Sequence, residues 1–162
     1  MTSYANINII HLTEPGQVEL AYSVRYKVYV CEQGYATNTV TDEEDEHCQH
    51  WAAVADKTNV DGTIENGVPI GTIRLAIKPD NVARLGRVAV ISSARGLKVG
   101  PKLIDIFERY CIEQGYHTIY LHAVSEKRGF YERLGFVVEQ GDHEEFSEDG
   151  TPHIRLWKRN LI

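Results

Sequence analysis

The stretch that most constrains this chain is a strand, Arg87-Val-Ala-Val90, that passes through Ser92-Ser-Ala-Arg-Gly-Leu-Lys-Val-Gly100 into a helix beginning near Pro101. Leu103, Ile104, Phe107, Cys111 and Ile112 give that helix one apolar face, and Gly115 stops it. A strand that turns through small residues into a helix is the way an α/β unit packs. It also leaves unpaired backbone N–H groups at the positive end of the helix dipole, a place suited to phosphate. The loop has no Gly-Lys-Ser or Gly-Lys-Thr and so is not a Walker loop. It also lacks the Gly-x-Gly-x-x-Gly and downstream acid that a dinucleotide fold uses.

Hydrophobic periodicity fills in the rest. Residues 7–12 read as a strand, and Thr13-Glu-Pro-Gly as a helix start with Pro near the first turn. Val18, Ala21, Tyr22, Val28 and Tyr29 recur at helical spacing over 17–31. Residues 51–55 and 70–77 are β-rich runs around a 56–67 segment of loop chemistry, which predicts a hairpin with a long tip. Strands are expected at 84–90, 118–123, 136–139 and 153–157, with a short helix at 126–134. The predicted order, β-α-β-β-β-α-β-α-β-β, indicates an α/β (α+β) domain with a mixed central β-sheet flanked by helices.

At 162 residues, one domain is expected, spanning 6–160, since domains usually hold about 100 to 200 residues. Seventeen Lys and Arg against 23 Asp and Glu leave a net charge of -6, the wrong field for a nucleic-acid backbone. No apolar run nears the length of a membrane span, and the first residues lack the pattern of a secretory signal, so no membrane partner and a cytoplasmic location are expected. Cys31, Cys48 and Cys111 are too few and too far apart for a disulfide framework; reduced thiols packed as small apolar groups are expected.

Two further segments sharpen the reading of the loop. Arg95-Gly-Leu-Lys-Val-Gly100 after Val88-Ala-Val90 resembles motif A of the GNAT superfamily of acetyl-CoA-dependent N-acetyltransferases, whose loop reads Gln/Arg-x-x-Gly-x-Gly/Ala. Phe130-Tyr-Glu-Arg-Leu-Gly-Phe136 resembles motif B at the expected distance downstream. The resemblance covers nearly the whole chain. Arg25-x-x-Val28-x-Val30-x-Glu32-Gln33 and Glu148-x-Gly-x-Pro-His153 are similar to the ElaA- and YjcF-like branch.

The resemblance implies transfer of an acetyl group from acetyl-CoA to a primary amine of a small molecule by direct attack. It implies that Val88, Ala89 and Val90 meet the pantetheine arm through their backbone. It likewise implies that Arg95, Gly96, Leu97, Lys98, Val99 and Gly100 wrap the pyrophosphate. Lys98 stands where most members carry the first Gly, so its amide can donate only if no positive φ is required there. Pro101 removes one donor, though Pro suits a first helical turn. Tyr131 falls on the tyrosine that members use to protonate the departing thiolate, which a phenol of pKa about 10 can do. The plainer reading of Tyr131 is a core aromatic beside Phe130 and Phe136.

An amine acceptor is protonated at neutral pH and needs a base. Many members carry an acid on the fourth strand, where this chain has Arg87 and Ala89. His122 and Glu32 are the replacements expected, with Glu145, Glu148 and His153 as further candidates, the plainer reading of His122 being a hydrogen-bonded structural histidine; Arg25, Asp45 and His153 are expected to bind substrate. The run Asp42-Glu-Glu-Asp-Glu-His-Cys-Gln-His50 reads either as a solvated loop or as the acidic rim of the acceptor pocket, drawing a small cationic amine. No metal site is expected, because His47, Cys48 and His50 lack recognised ligand spacing. Three alternatives stay open: a non-catalytic acyl-CoA-binding or sensing module, a protein N-acetyltransferase, and, more weakly, a flavodoxin-like domain, which would require an all-parallel sheet. A homodimer is compatible with the sequence, which leaves the oligomeric state open.

Overall fold

The computed structural model describes residues 2–162. Its elements follow one another as β1 (Ser3–His11), α1 (Val18–Arg25), β2 (Gln49–Thr58), β3 (Ile64–Lys78), β4 (Val82–Val90), α2 (Val99–Gln114), β5 (Thr118–Val124), α3 (Arg128–Arg133), β6 (Phe146–Glu148) and β7 (Thr151–Lys158). The strands form one seven-stranded sheet in the order β1-β2-β3-β4-β5-β7-β6. It is mixed, since β4 and β5 are parallel whereas β1–β2, β2–β3, β5–β7 and β6–β7 are antiparallel. An all-parallel flavodoxin-like arrangement is thereby excluded. The chain forms two compact units, one of residues up to Leu75 with Arg87–Phe107, the other of Ala76–Gly86 with Glu108–Ile162.

In the first unit the β2–β3 hairpin is longer than its apolar runs. The 56–67 segment, expected as loop, continues both strands to Thr58 and from Ile64. Its side chains are largely exposed, so no alternation announces it; pairing of Lys57 with Glu65 (3.8 Å) and a tight turn in which Asp61 accepts from Thr63 hold it instead. Toward its other end β3 is buried on both faces, and Ile70, Ile73 and Leu75 share the core with Trp51, Val99, Leu103 and Phe107. A Cβ at Gly71 would lie 2.8 Å from the Val99 side chain, so glycine lets the start of α2 approach the sheet closely.

The helix expected over 17–31 is two structures. Thr13-Glu-Pro-Gly forms a turn before it, with the Thr13 and Glu14 N–H groups donating to Gln17 Oε1. From Tyr26 to Glu32 the backbone widens to π-helical winding, where the Gln33 N–H reaches the Val28 carbonyl at 3.0 Å. That turn leaves Cys31 exposed, contrary to the expectation of a packed thiol.

In the second unit, Val82–Leu85 of β4 pair with Thr118–Leu121 of β5, and β5 pairs along its other edge with β7. Cys111 is buried here, and burial pushes its thiol up to about 12. Ile112, expected on the apolar face of α2, lies at its margin and is 46 % exposed. The strand expected over 136–139 reduces to a single bridge between Val137 and Trp157, and Phe136 packs in the core after a turn at Gly135 (φ 97°). The strand that pairs with β7 at the sheet edge is β6, three polar-flanked residues too short to carry a pattern. Among the described residues no helix is long and apolar enough to cross a membrane.

Candidate functional site

The phosphate-type loop is built from the end of β4. Arg87 adopts φ 52°, a left-handed conformation inside a strand, two residues after Leu85, the last residue of β4 that pairs with β5. Val88–Val90 follow, then a single turn over Ser92–Ala94 closed by Ala94 N–H on the Ile91 carbonyl (3.0 Å). Gly96 (φ 88°) and Lys98 (φ 61°) both take left-handed backbone. The positive φ expected to bar donation by Lys98 is thus present, but lysine itself adopts it and its N–H stays without a backbone acceptor among the described residues, which corrects that expectation; its carbonyl accepts the Lys102 N–H as a first helical bond (3.2 Å). Among the described residues, the N–H groups of Gly96, Leu97 and Lys98 donate to no backbone carbonyl, and those of Val99 and Gly100 lie at the free start of α2. Pro101 sits in the first helical turn, where an N–H has no partner to lose. Five successive amides at a helix start, with open space where a Cβ of Gly96 would point, fit a diphosphate.

Arg95, expected on this loop, makes a two-pronged pair with Glu32 at the end of the π-helical turn, one contact being 2.8 Å. Glu32, expected as a base, is thus held by a guanidinium. A cavity of about 460 Å³ opens beside them, lined by Tyr4, Lys27, Glu32, Lys57, Ser92 and Ser93 among others, with Tyr4 Oη 2.7 Å from Ser93 Oγ.

The acidic run is divided: Glu43, Glu44 and Glu46 are exposed, as a solvated loop would have them, whereas Asp42 and Asp45 are tied to arginines. Asp45 is 5 % exposed and accepts from Arg25 (3.0 Å), Arg74 (3.2 Å) and the Asp42 amide (2.8 Å). Asp42 takes both oxygens to Arg74 (2.8 and 2.9 Å) and one to Arg87 (2.9 Å). Burial would raise both carboxyls. The guanidiniums, with the Asp42 amide at Asp45, outweigh it, holding Asp45 low and Asp42 at about 2. His50 donates Nε2–H to the Asp45 carbonyl (2.8 Å), so its Nδ1 receives Arg25 Nη2 (3.3 Å), and burial keeps the ring neutral. Arg25 is fully buried, with Nε unpartnered. The expectation that Arg25 and Asp45 bind substrate is corrected: their charges are spent inside the first unit. Arg74, not anticipated, was readable as the one charge in the otherwise apolar run from Ile70 to Ile77. Among the described residues no three His, Cys, Asp or Glu gather as metal ligands.

The remaining expected residues lie in the second unit. Tyr131 on α3 is 9 % exposed, edge-on to Phe130 and Phe136. His122 on β5 faces Glu148 Oε1 through Nδ1 (3.0 Å) and accepts Arg155 Nε–H at Nε2 (3.1 Å). That pattern requires a neutral ring with its proton on Nδ1, so Arg84 Nη2, 3.1 Å from the same nitrogen, is a charge neighbour rather than a donor. Burial is the main cause lowering the His122 pKa, with Glu148 opposing and both arginines assisting. Burial would raise Glu148, but His122, Arg84 and His153 hold it below the usual range. His153 bonds the Thr151 carbonyl through Nδ1 (2.8 Å) and places Nε2 3.6 Å from Glu148.

The sequence matches the Acetyltransferase (GNAT) family over residues 23–136. A Bacillus subtilis (strain 168) protein provisionally named an acetyltransferase is 31 % identical over 157 residues, 95 % of this chain and 97 % of its own. YjcF of the same strain, named as an N-acetyltransferase, is 28 % identical over 142 residues, 88 % of this chain and 92 % of its own. The crystal structure of a Lactobacillus plantarum protein, provisionally named an N-acetyltransferase, superposes with TM-score 0.80 at 27 % identity, covering 96 % of this chain and 99 % of that one. An aminoglycoside 6'-N-acetyltransferase crystallised with coenzyme A shares the fold at 16 % identity and TM-score 0.66, over 98 % of each chain. The fold and these relatives define an acyltransferase that draws its acyl group from coenzyme A. The chain belongs to the GNAT family of acetyltransferases.

Proposed function

We propose that the protein transfers the acetyl group of acetyl-CoA to a primary amine of a small molecule, in the cytoplasm, where its three free thiols stay reduced. The observation that carries this reading is the run of open amides from Gly96 to Gly100 at the start of α2, a donor set for the co-substrate's diphosphate. The co-substrate supplies the activated thioester. Val88–Val90 hold its pantetheine arm through their backbone, and Lys98 adds a positive charge beside the diphosphate.

An amine that attacks the thioester carbonyl must lose a proton, and the leaving thiolate must gain one. Tyr131 Oη gives the second proton. His122 takes the first at Nε2, its ring fixed by Glu148 at Nδ1, once Arg155 gives up the Nε2 lone pair. A small-molecule acceptor accords with the aminoglycoside enzyme of the same fold. The test is thiol release from acetyl-CoA across a panel of amines, with calorimetry of acetyl-CoA binding alongside. Gly100→Asp sets a carboxylate against the diphosphate and should weaken binding at least about tenfold. Binding untouched by that substitution, or thiol release with protein amines alone, overturns the reading.

A further inference from the structure

Within the buried arginine cluster of the first unit, guanidiniums outnumber the carboxylates they touch. Arg25, Arg74 and Arg87 bring three guanidiniums to Asp42 and Asp45, two carboxylates, and His50 is neutral. Each carboxylate already holds three hydrogen bonds from groups other than Arg87. Asp42 accepts twice from Arg74 and once from the Glu44 amide, and Asp45 accepts from two guanidiniums and the Asp42 amide. Arg87 shares one oxygen of Asp42 through Nη2 alone, and its side chain keeps 33 % of its surface open, whereas Arg25 and Arg74 are sealed. Of the three guanidiniums, Arg87 is therefore the one with surface and N–H groups left for a further partner.

Its backbone sharpens the point. Arg87 carries φ 52° in the middle of β4, while the neighbouring Gly86, which could take that conformation without cost, does not. Strain of this kind persists where surrounding structure holds a side chain for a purpose. Arg87 also immediately precedes Val88–Val90, the strand segment given to the pantetheine arm above.

Resting on the proposed acetyl transfer, we infer that the Arg87 guanidinium binds a carboxylate of the acceptor, so that the acceptor is an amine that also carries an anionic group, of amino-acid type. A planar guanidinium with free N–H groups matches a carboxylate in two-pronged geometry. Asp42 orients Arg87 without neutralising it, because Asp42 is shared with Arg74. This reverses the sign of the acceptor charge expected from the acidic run.

The test uses matched pairs of free amino acids and their α-amides as acceptors, with kcat/KM read for each. The carboxylate form should be favoured in the parent by about 10- to 100-fold, and the ratio should fall toward 1 in Arg87→Gln and partly recover in Arg87→Lys. A ratio does not depend on how much variant is folded. Calorimetry with coenzyme A and N-acetyl amino acids against their N-acetyl amides gives the same comparison without turnover. No preference for the carboxylate in either measurement, or a preference that Arg87→Gln leaves intact, overturns the inference. Acetylation of amines without that preference leaves the proposed transfer standing, whereas coenzyme A binding with no amine turned over defeats the transfer and leaves the calorimetric comparison to decide the role of Arg87.

Discussion

Two clusters of guanidinium, carboxylate and imidazole, one in each unit, differ in how far they are open to solvent. Around Asp45 the groups are sealed: Arg25, Asp45, Arg74 and His50 are each under a tenth exposed, and both nitrogens of His50 are spent on internal partners. Around His122 the ring is 12 % open and both its nitrogens are also partnered, but the partners stay reachable, with Glu148 35 % and Arg155 38 % open at their side chains. A buried charge that loses its partner has no water to turn to, so the first cluster is a framework. A half-open cluster can exchange a partner for solvent or substrate, and so can do chemistry. Arg87, paired with Asp42 and one-third open, stands on β4 between the framework and Val88–Val90.

The largest effect expected from this difference is on stability. Asp45→Asn removes the anion between Arg25 and Arg74 and should cost about 3–5 kcal/mol, lowering Tm by about 6–20 °C for a chain of this size. Glu148→Gln, in the open cluster, should cost no more than about 1 kcal/mol. Thermal unfolding of the two variants side by side checks the contrast, and equal losses would erase it. Acid should act through the same framework. Asp42 and Asp45 have folded pKa values below their unfolded ones, so their contribution is complete above about pH 4. It disappears as pH falls toward 2, where Asp42 protonates.

The next effect is on rate. His122→Gln should lower kcat by about 10²–10⁴-fold, the range of a general base, while leaving Tm within a few degrees of the parent. Because burial lowers the His122 pKa, the ring is neutral and able to take a proton throughout the neutral range. The acid limb of the kcat/KM profile should therefore fall below the ordinary histidine value of about 6.5. A profile that keeps its acid limb in His122→Gln would assign the base elsewhere.

Legibility in the sequence followed the locality of each feature. The strand, the small-residue loop and α2 lie within some thirty residues of chain, about the size of one strand-and-helix unit, and were readable as a phosphate-type turn. The segment Phe130–Phe136 likewise carried its own pattern. The Arg25–Asp45–Arg74–Arg87 framework joins residues from four separate segments, and no window of sequence contains it. Asp42–Glu46 consequently read as a surface run, although two of its carboxylates are pinned by guanidiniums. The π-helical turn, the polar end of the β2–β3 hairpin and three-residue β6 failed for a related reason: each is fixed by pairing or winding rather than by apolar periodicity.

The smallest effect expected isolates the contact that keeps His122 at rest. Arg155 Nε donates to His122 Nε2 at 3.1 Å, and its charge disfavours the imidazolium. Arg155 also lies 5.7 Å from the Tyr120 ring and 4.0 Å from Asp142, so its guanidinium has other partners once it lets go. Arg155→Gln keeps a donor of similar reach but removes the charge. The His122 pKa should then rise toward the ordinary value, as expected when a partly exposed like charge is lost in a screened environment. Titration of the imidazole resonances by NMR reads this directly, with His153, on the far side of Glu148, as the internal comparison. A His122 value that does not move would mean that the guanidinium exerts no hold on the base, and the open cluster would then need no partner exchange before proton transfer.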